Sequence, residues 1–297
     1  MTSTPRTVAV LGPGGVGGLL GGLLARDGHR VICLAGDDTA AVLRRDGLRV
    51  ESGRYGDFTV AVEARTRLGE PVDALFVTVK QTSLGAALER TPADILGDAV
   101  VVPLLNGVEH LAALRAHHPA GRVVAGTVRV ETTRTAPGRI VHTSPFAALE
   151  LASPPAGFTD LLERAGLAVT VRDDEEAMLW DKLAFLAPFA LLTTRHRTDA
   201  ATLRTERRAE LTAVLDEVTA VARSAGAGVT TASVLAFLDG APAGMRSSMQ
   251  RDAEAGRPLE LDAIGGAVLR AGAARGIATP ATADLVERIA EAVRREG

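Results

Sequence analysis

The chain has one cysteine, Cys33. It therefore cannot form an internal disulfide or a thiolate metal site, and nothing in it requires an oxidising compartment. The cytoplasm is the expected location. A basic excess is also lacking: Lys+Arg 33 stand against Asp+Glu 36, for a net charge of -3. The arginines are scattered rather than striped, so neither a nucleic acid nor a membrane surface is an expected partner. No uninterrupted run reaches the roughly 18 apolar residues of a membrane span. The run from Leu183 to Leu192 is short and carries Pro188, and Val8 to Ala25, which has a signal-like texture, is broken by Pro13 and several glycines and leads straight into another strand-like run. The histidines show no H-E-x-x-H or similar clustering, and there is no G-x-S-x-G elbow, so neither a metal site nor a hydrolase serine is expected.

Two further scarcities point toward chemistry. The only lysines are Lys80 and Lys182, and the only asparagine is Asn106; almost every basic residue is arginine. Where composition pushes lysine toward arginine, a solvated surface lysine is replaced at little cost. A site that needs a compact ammonium donor cannot accept a planar guanidinium. The surviving lysines and the lone asparagine are therefore candidates for function.

What is present describes a globular chain of 297 residues, 46% hydrophobic and 23% charged, long enough for two domains. Val8 to Leu11 reads as a strand, Gly12-Pro13-Gly14-Gly15-Val16-Gly17 as a glycine turn, the Leu19/Leu20/Leu23/Leu24 spacing as a helix, and Val31 to Leu34 as a second strand. That βαβ context gives the G-x-G-x-x-G its meaning: a tight turn, close backbone approach to a pyrophosphate, and helix amides facing the anion. Leu48 to Glu51 and Phe58 to Val62 read as a hairpin. Ala74 to Val79 and Val100 to Leu105 read as strands buried on both faces, and Val123 to Val130, Arg139 to His142, Ala147 to Leu151 and Ala168 to Val171 as further strands. Beyond about Glu175 the periodicity is helical: 175–192, 201–225, 232–238, 244–254, 259–275 and 280–295. The expected fold is α/β, a Rossmann-type dinucleotide-binding domain over 1–173 followed by an all-α substrate and catalytic domain over 174–297.

Lys80 and Asn106 fall at or just beyond the carboxyl ends of two buried strands, where ligand crevices lie in open α/β sheets. Lys182 shares a helical face with Met178, Phe185, Leu186 and Phe189. It either snorkels outward or is held where desolvation makes it a ready proton donor. Ser247 to Asp252 and Arg257 to Asp262 give a polar helix followed by a Pro-initiated helix with acids in its first turn, where the helix dipole favours them in any case. Cofactor choice stays open at this level: Asp37 or Asp38 suits a ribose hydroxyl and NAD, while Arg44 or Arg45 suits a 2′-phosphate and NADP.

Taken together, Leu11 to Gly17, Val77-Thr78-Val79-Lys80, Leu105-Asn106-Gly107, Leu179-Trp180-Asp181-Lys182-Leu183, Ser247 to Asp252 and Glu260-Leu261-Asp262 resemble the ketopantoate reductase (2-dehydropantoate 2-reductase) family in order and spacing over nearly the whole chain. The resemblance implies an NADP-dependent oxidoreductase of pantothenate biosynthesis, with NADPH and a 2-keto acid meeting between two domains; NADH remains an open alternative. It also implies Lys182 as general acid, Glu260 as its helper at the substrate hydroxyl and a cofactor contact, Ser248 as a substrate ligand, and Asn106 as a contact to both substrate and cofactor. Lys80 and the turn Gly12, Pro13, Gly14, Gly15, Val16 and Gly17 would hold the cofactor. Leu186, Ala190 and Gly265 stand where the family carries asparagine, and Gly36 where it carries arginine. These departures suggest a paralogue that reduces a more apolar keto acid, or a module that senses dinucleotides without catalysis. A homodimer is left open.

Overall fold

Strands that are apolar without alternation demand cover on both faces. The computed structural model, which describes residues 4–118 and 122–296, shows how they obtain it. β1 (Thr7–Leu11), α1 (Gly15–Arg26), β2 (Arg30–Leu34) and α2 (Asp37–Asp46) are followed by the antiparallel hairpin of β3 (Leu48–Ser52) and β4 (Phe58–Val60). Next come β5 (Glu63–Arg65), β6 (Ala74–Val77), short α3 (Leu84–Leu88) and α4 (Ala93–Leu96), and β7 (Val100–Pro103). Five of these strands form a parallel sheet in the order β5-β2-β1-β6-β7, with Val8, Ala9 and Val10 of the central strand 0% exposed. This is the order of a doubly wound nucleotide-binding sheet, in which the direction of winding reverses beside β1. β6 and β7 are shorter than the apolar runs that announce them. Lys80 and Asn106 accordingly lie in the loops beyond the strands and not at their last residues.

The chain continues through α5 (His110–His117), β8 (Gly126–Arg129), β9 (Thr132–Ala136), β10 (Arg139–His142), β11 (Ala148–Ala152), α6 (Thr159–Arg164) and β12 (Ala168–Arg172). Two smaller sheets result, β4-β3-β10-β9 and β12-β11-β8. α1 packs on β3, β9 and β10 as well as on β1 and β2, and residues 17–24 are buried all round. Its glycines explain how. A Cβ on Gly18 would strike Ile140 of β10, and one on Gly22 would lie 3.0 Å from Val50 of β3. The helix backbone therefore rests directly on its neighbours, which offsets the ~1 kcal/mol that each glycine costs a helix relative to alanine. Cys33 sits in this core at 0% exposure, and burial pushes its thiol up to about 12. It is a packing residue, not a nucleophile.

Contacts divide the chain into two units. One takes the chain up to Leu105 together with His110–Asp173; the other takes Asn106–Glu109 together with the chain from Asp174. The second unit is helical: α7 (Glu175–His196), α8 (Ala200–Thr205), α9 (Arg208–Ser224), α10 (Thr231–Gly240), α11 (Ser248–Glu254), a π-helical turn at Asp262–Gly266, α12 (Ala267–Arg275) and α13 (Pro280–Glu296). α7 is its core. By length and composition it could cross a membrane, but 78% of its most apolar stretch is buried. It runs on through Pro188, which has no N–H to donate within the helix. α9 packs along it, and Glu217 of α9 ties down the start of α13, accepting from the amides of Ala281 (2.7 Å) and Thr282 (2.8 Å).

One helix expected as continuous is interrupted. The 201–225 segment breaks between Thr205 and Arg208, where the amides of Glu206 and Arg207 both turn back to Thr202 O; no glycine or proline marks the break. The 259–275 segment is helical without a break from Leu261, its first turn being π.

Candidate active site

In the first unit the glycine turn is shaped by what surrounds it. Gly12 adopts φ +89 and its amide donates to Leu34 O at 3.0 Å. A Cβ there would sit 2.6 Å from Val79 Cγ1, so only glycine fits both the backbone and the space. Thr78 Oγ1 donates to the carbonyls of Leu11 (3.1 Å) and Gly12 (2.8 Å), stitching the loop after β6 to the turn. A Cβ on Gly17 would overlap that hydroxyl, and one on Gly15 would lie 2.8 Å from Thr132 O. Gly14 differs: its nearest neighbour would be 3.9 Å away, so the turn is open on that side. α1 begins there, and the amides of Gly15, Val16 and Gly17 have no acceptor within the helix. With no acid in the first turn of α1, this is a cradle that fits a pyrophosphate. Pro13 is buried beneath it and Val16 is half-exposed. Lys80, half-exposed, precedes a 3-10 turn at Gln81–Ser83.

The ribose end of such a site lies beyond β2. Here Gly36 is extended and precedes α2, whose first turn carries Asp37 and Asp38. Neither arginine considered for a 2′-phosphate is idle: Arg44 Nη1 donates to Ala64 O at 3.2 Å, and Arg45 pairs with Asp46 at 2.7 Å.

In the second unit, Asn106 Nδ2 donates to Glu260 Oε2 at 3.0 Å. Glu260 is only 7% exposed. The approach depends on Gly107, at φ +88, because a Cβ there would come within 2.5 Å of Ala263 O in the π-turn. The scarce asparagine is thus held by the acid just ahead of a π-turn, an irregularity that recurs at functional sites. Gly265 in that turn lies against Val286 and Leu191, which fill the space an asparagine side chain would need.

α7 opens in one place. Between Ala177 and Thr194 every residue is buried except Asp181, Lys182, Phe185 and Leu186, one face over one turn. Lys182 is therefore set in a small opening of an otherwise enclosed apolar helix. Phe185 stacks on Phe189 with centroids 5.6 Å apart and meets the edge of Phe237 at 4.9 Å; Phe237 is 56% exposed. Leu186 belongs to this opening, whereas Ala190 is 0% exposed and does not.

The two serines ahead of α11 divide their roles. Ser247 is the buried N-cap, accepting from Gln250 N at 3.1 Å and from Thr193 Oγ1 at 2.8 Å, while Ser248 is the exposed first residue of the helix. Thr193 Oγ1 has one proton to share between Ser247 Oγ and Phe189 O, 2.7 Å away, so its hydroxyl is spent on structure. The structure thus joins Asn106 with Glu260 directly and leaves Ser248 accessible. Phe237 is the lining residue that sequence patterning missed, since one phenylalanine on a short helix carries no motif. Among the described residues no group of three or more metal-ligating side chains occurs.

The family described as ketopantoate reductase PanE/ApbA matches residues 8–154, and its C-terminal counterpart matches 174–293. A 2-dehydropantoate 2-reductase of Mycobacterium tuberculosis is 32% identical over 293 residues, covering 96% of this chain and 97% of its own. A PanE/ApbA family ketopantoate reductase from Ralstonia eutropha superimposes with a TM-score of 0.87 at 28% identity, covering 97% and 99% of the two chains. A D-mandelate dehydrogenase, solved with NADH and anilino(oxo)acetate, reaches a TM-score of 0.89 at 20% identity over 97% and 99%, a likeness of fold.

Proposed function

The chain belongs to the ketopantoate reductase family, and from that premise we propose that it reduces a 2-keto acid with an apolar side chain to the 2-hydroxy acid, using a nicotinamide dinucleotide held at the glycine turn. The observation that carries the reading is the opening in α7, where Lys182 shares one half-exposed helical face with Phe185 and Leu186.

The reduced nicotinamide, when bound, supplies the hydride to the carbonyl carbon. Lys182 hydrogen-bonds the carbonyl oxygen and delivers its proton there as negative charge develops, so hydride and proton together make the carbinol. Its half-exposed position lets it regain a proton from water. Glu260 accepts from the nascent hydroxyl and fixes the Asn106 carboxamide, and Ser248 orients the substrate. In the first unit, the amides of Gly15, Val16 and Gly17 hold the pyrophosphate, backed by Gly12, Pro13 and Gly14, and Lys80 provides a cation beyond β6.

The substrate class follows from the lining. Ketopantoate carries a side-chain hydroxyl, and the apolar residues of the opening, Phe185, Leu186 and neighbouring Phe237, offer it no partner. A desolvated hydroxyl left unpaired costs ~1–3 kcal/mol, roughly tenfold to over a hundredfold in kcat/KM. Fold does not choose between these acids, since the same fold serves a D-mandelate dehydrogenase.

The test follows the absorbance of the reduced dinucleotide with ketopantoate, 4-methyl-2-oxopentanoate and phenylglyoxylate. Turnover should be better with the latter two, and Lys182→Ala should lower it by ~10²–10⁴. Best turnover with ketopantoate would overturn the substrate class. A Lys182→Ala enzyme within about threefold of wild type would overturn the general-acid role. Tight dinucleotide binding with no carbonyl reduced would identify a sensing module instead.

A further inference from the structure

We infer that this chain selects NADH over NADPH, and that Asp37 and Asp38 at the start of α2 decide it. The inference rests on the dinucleotide reading of the first unit. In a doubly wound fold the adenosine ribose lies past the end of the second strand, where an acid about 20 residues beyond the glycine turn accepts from the 2′-hydroxyl, or an arginine meets a 2′-phosphate. Asp37 stands at that spacing from Gly17. β2 ends at Leu34, Gly36 is extended (φ -66, ψ 162), and Asp37 and Asp38 form the first turn of a ten-residue helix. Both are exposed, and neither makes a hydrogen bond or ion pair among the described residues.

Three cations near this end of the sheet are engaged elsewhere. Arg44 donates to Ala64 O, Arg45 pairs with Asp46, and Arg65, at the end of neighbouring β5, pairs with Glu63 (2.7 Å) and Glu70 (3.1 Å). A 2′-phosphate carries close to two negative charges at neutral pH and binds well only with a charge-assisted partner. Here it would meet two carboxylates that also cancel the positive end of the α2 dipole. A ribose hydroxyl instead donates to those same carboxylates. Arg67, exposed just past β5 and without a partner among the described residues, is the cation that NADPH would have to recruit.

Position 36 offers the converse test. A Cβ on Gly36 meets nothing within 4 Å, and its φ suits any residue, so an arginine can be placed there without moving the backbone.

The experiment is calorimetric titration of the full chain with NADH and with NADPH, without substrate. Wild type should bind NADH roughly tenfold or more tightly than NADPH, the size of effect that close like charges produce near a surface. Asp37→Asn/Asp38→Asn should shrink that ratio to within about threefold, and Gly36→Arg should tighten NADPH more than NADH. Equal or tighter NADPH binding by wild type would overturn the inference, and Arg67→Ala would then show which cation serves. An unchanged ratio in the double variant would overturn the assignment to these two residues. If neither dinucleotide binds, the reading of the first unit as a dinucleotide site fails as well, which separates that failure from the others.

Discussion

In the first unit the groups proposed to meet the pyrophosphate are main-chain amides, at Gly15, Val16 and Gly17, and the side chains around them are chosen for what they lack. In the second unit the proposed groups are an ammonium, a carboxylate and a carboxamide, carried by Lys182, Glu260 and Asn106, two of them of residue types nearly absent from the chain. The contrast predicts opposite sensitivities. The first unit should fail when atoms are added and the second when atoms are removed. A cradle of amides serves any pyrophosphate, whereas a proton donor has to be one particular group.

The largest effect on the first side should come from Gly17→Val, whose side chain would run into Thr78 and into Gly12 O, 2.5 Å from the Cβ position. Overpacking of this kind costs ~1–3 kcal/mol or more, read as roughly ten- to a hundredfold in dinucleotide Kd. Calorimetry on variant protein that keeps the wild-type circular dichroism checks it, and undiminished binding would break the comparison. Removal on the second side should be felt next. Asn106→Ala leaves the buried Glu260 carboxylate without its 3.0 Å donor and should lower kcat/KM by about tenfold, from ~1–3 kcal/mol for a lost partner. Steady-state kinetics should show this with dinucleotide Kd little changed.

Two smaller effects concern stability. Glu217→Ala removes the acceptor for the Ala281 and Thr282 amides and the Thr282 hydroxyl, a cap worth about 1–2 kcal/mol, measurable as a lower midpoint in urea. Acid should weaken the first unit specifically. Burial lowers His118 from 6.5 to about 4 and lowers His29 as well. The unfolded chain then binds more protons than the folded one in this range, so stability is full above about 6.5 and is lost as pH falls toward 4. His118→Leu should flatten the dependence of Tm on pH in that window; an equally steep profile would exclude the histidine as its source.

The same contrast explains what could be read from the sequence. The βαβ unit and its glycine turn were legible because an amide cradle is specified locally, by consecutive residues. β5 (Glu63–Arg65) and β9 (Thr132–Ala136) were not, since polar edge strands carry no apolar alternation. Lys182 and Asn106 stood out by rarity. The Asn106–Glu260 bond could not be foreseen, because it joins positions far apart in the chain through a glycine turn and a π-turn. Ala190 stands one turn past Leu186 at another of the family's asparagine positions, but helical spacing does not record that neighbouring elements close over it. Thr193, one turn past Phe189 on the same helix, is likewise bound to Phe189 O and the Ser247 cap.

The division between a backbone that binds and a side chain that reacts is tested most directly on Lys182→Ala, by measuring NADH Kd calorimetrically and single-turnover reduction of 4-methyl-2-oxopentanoate on the same preparation. The account predicts Kd within about threefold of wild type and a turnover rate ~10²–10⁴ lower. Loss of dinucleotide binding together with turnover, or a rate left near wild type, would contradict it.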